Sequence, residues 1–114
     1  MGMTVSFKIQ RDTGIAIISV LETECGSLWE AIAPLVSEEA RKAIVLDFSK
    51  VAYLNSMNIA SIISLRNKLL SQDVGLLLAN VQGNIQSVFR ILKLERLFNL
   101  DLNLEQAVTA AKSR

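Results

Sequence analysis

The sequence predicts an α/β domain: a mixed sheet made of an N-terminal hairpin and parallel strands, accompanied by about four helices. Three observations carry this expectation. The runs Ile15 to Leu21, Ala43 to Leu46 and Leu76 to Val81 are apolar nearly throughout, as strands covered on both faces are. Between and after them, apolar residues recur every three or four positions, the period of a helix with one buried face. After the first two strands, helical and strand patterns alternate, which implies right-handed crossovers and a mainly parallel sheet. At 114 residues, the chain from 1 to 114 fits one domain.

The elements follow in order. Val5, Phe7 and Ile9 alternate with polar residues, the pattern of a half-exposed strand. Arg11-Asp12-Thr13-Gly14 is a turn signal, so the first two strands form an antiparallel hairpin. Ser27-Leu28-Trp29-Glu30 reads as a capping box opening a helix, with Leu28, Ile32, Leu35 and Val36 on one face. Pro34 removes the bond to the Glu30 carbonyl and predicts a kink or an early end. The strand Ala43 to Leu46 is followed by Asp47 and Phe48. A second helix spans Met57 to Gln72. Ile59, Ile62, Ile63, Leu65, Leu69 and Leu70 share its apolar arc, while Ser61, Ser64, Lys68, Ser71 and Gln72 lie opposite. Arg66 falls within the apolar arc and must snorkel or meet a carboxylate, because an unpaired buried charge is costly. Met57 falls on the polar arc, which leaves it either a core residue or an exposed, adaptable contact. Gly75 reads as the helix terminator. After the strand at Leu76 to Val81, Gln82-Gly83-Asn84 turns the chain. Ile85, Val88, Phe89 and Leu92 define a third helix, and Leu94, Leu97 and Phe98 extend its apolar wall. Asn99 to Leu102 reads as a short edge strand. Asn103 and Gln106 then cap a last helix carrying Leu104, Ala107, Val108 and Ala111.

Composition narrows the function. Twelve Lys and Arg against eleven Asp and Glu leave a formal net charge of +1. No basic run marks a nucleic-acid footprint, and no apolar stretch reaches the roughly 18 residues that span a bilayer. No secretory leader pattern is present, and Met1-Gly2 ahead of Met3 reads as an expression remnant rather than a myristoylation signal. The lone Cys25 forms no internal disulfide and suits a reducing cytoplasm; with Glu22 and Glu24 beside it, it lacks the electropositive surroundings of a catalytic thiol. The chain contains no histidine, which removes the usual general base and most zinc sites. It contains no glycine-rich phosphate loop. These facts point away from an enzyme and from any metal or cofactor, and towards a binding or signalling module.

One stretch concentrates the functional signals. A buried strand ends at Asp47, a short link follows, and Asn55-Ser56-Met57-Asn58 lies where the second helix needs its cap. The N-terminus of a helix presents free N–H groups and the positive end of its dipole. Such a place suits an anion, including a phosphate carried covalently by Ser56. Ser56 could equally serve only as a capping hydroxyl. Asp47 could be a site carboxylate, but the favoured reading is a structural one, in which it bonds the loop backbone or meets Lys50.

The segment Ala43-Ile44-Val45-Leu46-Asp47-Phe48-Ser49, then Val51 and Tyr53-Leu54, then Asn55-Ser56, resembles the STAS domain family, which includes the bacterial anti-sigma factor antagonists. That family carries an apolar strand ending Leu-Asp-Leu-Ser, then a turn of the form Phe/Tyr-Ile/Leu-Asp-Ser-Ser/Thr-Gly-Leu into a helix. Val88 to Phe98 resembles a further family stretch, with Lys93 where glycine is usual. Asn55 stands at the family's Asp, and Met57 and Asn58 at its Ser/Thr and Gly. The resemblance implies a mixed sheet with helices packed mainly on one face. It also implies that Ser56 is the phosphorylated residue, and that an anti-sigma protein of the serine kinase type is the partner. On this reading the partner-binding surface comprises Asn55, Ser56, Met57, Asn58 and Ser61, and phosphorylation ends the binding. The alternatives are a STAS scaffold of a signalling or transport complex that is not phosphorylated, and a sensor of a small anionic ligand or nucleotide.

Overall fold

The computed structural model describes residues 5–9, 15–20, 29, 32, 33 and 43–113. Four strands, β1 (Val5–Ile9), β2 (Ile15–Val20), β3 (Ala43–Asp47) and β4 (Gly75–Ala79), form one sheet in the order β1-β2-β3-β4. β1 pairs antiparallel with β2, with Val5 opposite Val20. β2, β3 and β4 are parallel, with Ile15 beside Ala43 and Ala43 beside Gly75. This is the expected hairpin joined to parallel strands. Three helices are described from end to end: α1 (Ser56–Ser71), α2 (Gly83–Ile91) and α3 (Leu104–Lys112). A 3₁₀ turn covers Leu94–Arg96. Trp29, Ile32 and Ala33 are helical too, as expected. The Arg11 to Gly14 turn, the Ser27 cap, the Pro34 kink and Cys25 lie outside the described residues.

The continuous apolar runs are explained by what covers the sheet. Successive side chains of a strand point to opposite faces. Ala16, Ile18, Ile44, Leu46 and Leu78 face one layer, shared with Ile59, Ile62, Leu65 and Leu69 of α1 and with Ile85 and Phe89 of α2. Ile15, Ile17, Ala43, Val45 and Ala79 face the other, covered by Ala107 and Ala111 of α3. Two of the three helices described from end to end thus share one face, with Ile32 in the same layer, and the small side chains of α3 let it lie close against the other. Phe89 and Phe98 lock α2 to the segment behind it, their rings meeting edge to face with centroids 5.8 Å apart. Trp29 packs at the edge of the first layer, with the Lys68 ammonium 5.7 Å from its ring.

Four expectations are corrected. Helix α1 begins at Ser56, one residue early, because Asn55 takes the cap. Its terminator is not Gly75, which opens β4. Asp73 adopts φ 61°, its N–H reaches the Leu70 carbonyl at 3.0 Å, and the Val74 N–H reaches that of Leu69 at 2.9 Å. That is a Schellman ending, and Val74 and Leu69 are buried in the same layer. Leu70, Val88 and Leu92 are exposed; each lies off the line of Leu65–Leu69 or Ile85–Phe89 that meets the sheet. Residues 99–102 form no strand. There the Asn99 side chain accepts the Asp101 N–H, a local bond that competes with a ladder. The Asn80 N–H, donating to the Leu102 carbonyl at 2.8 Å, ties this segment to the end of β4. Arg66 is only half-buried and keeps the solvent access that snorkelling requires.

Lys93, just past α2, has φ 60°, a left-handed conformation that costs a residue with a side chain roughly 1–2 kcal/mol. This explains the glycine of the family pattern. Lys93→Gly and Asp73→Gly are each expected to raise stability by about 0.5–1 kcal/mol, strain relief exceeding the entropy gained by the unfolded chain. A higher urea midpoint at unchanged slope is the readout. A lower midpoint would show that the side chain makes up for its backbone strain.

Candidate functional site at the N-terminus of α1

The parallel strands β3 and β4 end side by side, and the loop leaving β3 delivers the chain to α1. In open α/β sheets, ligands are met at this carboxyl edge. The Phe48 N–H still donates to the Ala79 carbonyl at 2.8 Å, one rung beyond the strand. Asp47 Oδ1 accepts the Ser49 N–H at 3.0 Å and Nδ2 of Asn80 at 3.1 Å. Asp47 therefore has the structural role expected of it, satisfied by the loop backbone and by Asn80. Val51 and Leu54 are buried in the α1 layer and pin the loop from below, leaving Ala52 and Tyr53 outward.

Asn55 is extended, with φ −96° and ψ 176°, as a cap must be. Its Oδ1 accepts the Asn58 N–H at 2.8 Å, and its own N–H donates to Asn58 Oδ1 at 3.1 Å. The two asparagines make a reciprocal capping box, a variant of the Ser/Thr-x-x-Glu/Gln pattern. Ser56 is therefore not the cap. It is the first residue of the helix, exposed, in a first turn without an acidic residue. A negative group on its hydroxyl would meet the positive end of the dipole with no neighbouring carboxylate on that turn.

The five expected site residues thus divide. Ser56 and Met57 are exposed, Asn55 and Ser61 half-buried, and Ser61 follows Met57 by one helical turn. Asn58 lies beneath this surface at 1% exposure, so its contribution is to hold the cap. Its Nδ2 is buried without a hydrogen-bond partner, and the amide cannot simply be reversed, because Oδ1 is committed to the Asn55 N–H. Met57, 63% exposed, is the outward residue that its place on the polar arc suggested. Tyr53, 65% exposed, entered the sequence reading only within the family motif. Its signal was the step Val51-Ala52-Tyr53-Leu54, where burying Val51 and Leu54 turns the aromatic outward. Asn84, whose Nδ2 donates to the Ala52 carbonyl at 2.7 Å, was read only as a turn residue. The surface can therefore offer a hydroxyl at a helix N-terminus beside two large side chains, Tyr53 and Met57. Among the described helices none is long and apolar enough to cross a membrane.

Comparison with known proteins identifies the family and the fold. Residues 16–107 match the STAS domain family model. An anti-sigma factor antagonist from Mycobacterium paratuberculosis superposes with a TM-score of 0.77 at 22% identity, covering 96% of this chain and 95% of that one. The Bacillus cell fate determinant SpoIIAA, in its phosphorylated form, gives 0.63 at 16% identity, over 94% and 98% of the two chains. The murine anion transporter Solute Carrier 26 family member A9 gives 0.65 at 16%, with 92% of this chain matching 19% of that one. At these identities the likeness is one of fold. No curated protein sequence matches the chain.

Proposed function

The chain belongs to the STAS domain family, and from that premise we propose that it is a regulator resembling the anti-sigma factor antagonists, switched by phosphorylation of Ser56. It binds a partner protein of the anti-sigma serine kinase type through Asn55 to Ser61, with Asn58 acting from beneath by holding the cap. It works by binding and release and carries out no catalysis of its own. The observation that carries this reading is the exposure of Ser56 as the first residue of α1. There a phosphate finds N–H groups and the positive end of a dipole, so the helix tolerates the modified state. An interface built for a neutral hydroxyl does not, because roughly −1.5 to −2 charges must be desolvated in it.

Met57 tests the surface separately from the switch. Being exposed, Met57→Ala is expected to move stability by less than about 0.5 kcal/mol. If Met57 is an anchor, the same change weakens partner binding by about tenfold, or roughly 1.4 kcal/mol. Thermal denaturation and titration with a partner captured from the source cells give the two readouts. Unchanged affinity would remove Met57 from the interface. A stability loss of about 2 kcal/mol or more would return it to the core.

The fold shared with the domain of an anion transporter favours a second reading, a STAS scaffold within a transport complex. It requires no phosphate on Ser56 and is separated from the first by that criterion.

A further inference from the structure

The backbone pairing of β3 with β4 ends at the Phe48–Ala79 bond, but the two chains continue side by side. Beyond that rung, side-chain amides take over. Asn80 Nδ2 donates to Asp47 Oδ1 at 3.1 Å, Gln82 Nε2 to the Ser49 carbonyl at 3.4 Å, and Asn84 Nδ2 to the Ala52 carbonyl at 2.7 Å. Donors at 80, 82 and 84 thus meet acceptors at 47, 49 and 52, in the same order along both chains. Val81 is buried and Gln82 is extended, with φ −69° and ψ 154°, which turns Gln82 away from the side that Val81 buries; Asn84 follows as the second residue of α2. Every acceptor is an oxygen, so each carboxamide presents its nitrogen. Asn80 holds φ 57°, a left-handed conformation that asparagine tolerates better than most residues, and its own N–H is bonded to Leu102.

We infer that Asn80, Gln82 and Asn84 are positioning residues: their carboxamides form a clamp that holds the loop from Asp47 to Asn55 and thereby sets how Tyr53, Ser56 and Met57 are presented. The shortest rung, from Asn84, falls at Ala52, beside Tyr53 and between the buried anchors Val51 and Leu54. The consequence for a phosphorylation switch rests on the function proposed above; the clamp itself does not.

Hydrogen exchange and amide resonances of the whole chain test it. Asn84→Asp keeps the shape of the side chain but removes the donor. The Val51 and Asn55 amides, bonded to the Phe48 carbonyl and to Asn58 Oδ1, are expected to exchange about fivefold faster, as loss of one net hydrogen bond implies. The Ser56 and Met57 resonances shift, while the Phe89 amide of α2 stays protected. Asn84→Ala repeats the result without the added charge. Ser87→Ala, which removes only the bond to Gly83 within α2, leaves the loop unchanged. Unchanged exchange at Val51 and Asn55, or unmoved Ser56 and Met57 resonances, would overturn the clamp. So would equal acceleration along α2, or a Ser87→Ala effect of the same size. If wild-type protein accepts no phosphate and binds no kinase-type partner, the proposed function fails while these readouts still decide the clamp.

Discussion

Ser56→Asp is expected to fold as stably as the wild type, or about 0.3–1 kcal/mol more stably, and to bind its partner at least about tenfold more weakly. The two effects arise from one charge. In the free protein the carboxylate lies at the first residue of α1, in a turn with no other acid, where the helix dipole stabilises it. In the complex it must lose its water against a surface that fits a hydroxyl. Ser56→Ala isolates the hydroxyl. Asn55 and Asn58 already complete the capping box, so the alanine variant keeps its stability within about 0.5 kcal/mol and binds without being switchable. Calorimetric titration beside thermal denaturation separates the outcomes. An Asp variant that lost affinity only because it unfolded would contradict a switch acting through charge at the interface.

The second large effect is expected at Phe89. Its ring is fully buried and meets Phe98 edge to face, and only Ile85 shares its buried side of α2. Phe89→Ala should therefore cost about 3–5 kcal/mol, a large part of the 5–15 kcal/mol that typically holds a domain together. The ring pair adds to the burial term, and α2 has little else with which to grip the sheet. Urea denaturation at constant slope gives the value. A loss below about 1 kcal/mol would mean that α2 does not depend on this anchor.

The difference between these two residues shows what a sequence can reveal. Phe89 was legible because helical periodicity reports burial directly. The strands were legible for a similar reason: β2 and β3 are buried on both faces, and their apolar runs are continuous. Periodicity locates the stripe but not its width, so Leu70, Val88 and Leu92 were assigned to a core that meets only their neighbours. The place of the site was legible too, because a polar cluster between a buried strand and an apolar helix has to be a cap. Which residue capped was not, since Asn55 and Ser56 are both good caps and only the backbone conformation decides between them. Asn58 looked like surface, yet its partnership with the Asn55 N–H draws it inside. The chain reversal after α1 looked like the task of Gly75, but Asp73 bears the left-handed conformation. The carboxamide clamp was beyond reach for a different reason. Its partners stand 32 or 33 positions apart, and nothing local marks them.

The proposed switch is tested most directly by mapping phosphate on the protein after incubation with the serine kinases of its source cells and ATP. Intact mass gives the stoichiometry and peptide mapping gives the site. One phosphate is expected, on Ser56, with none taken up by Ser56→Ala. The phosphorylated protein should keep its melting temperature and lose its partner. A wild-type protein that remains unmodified, or that takes its phosphate elsewhere and leaves Ser56 free, would contradict the account.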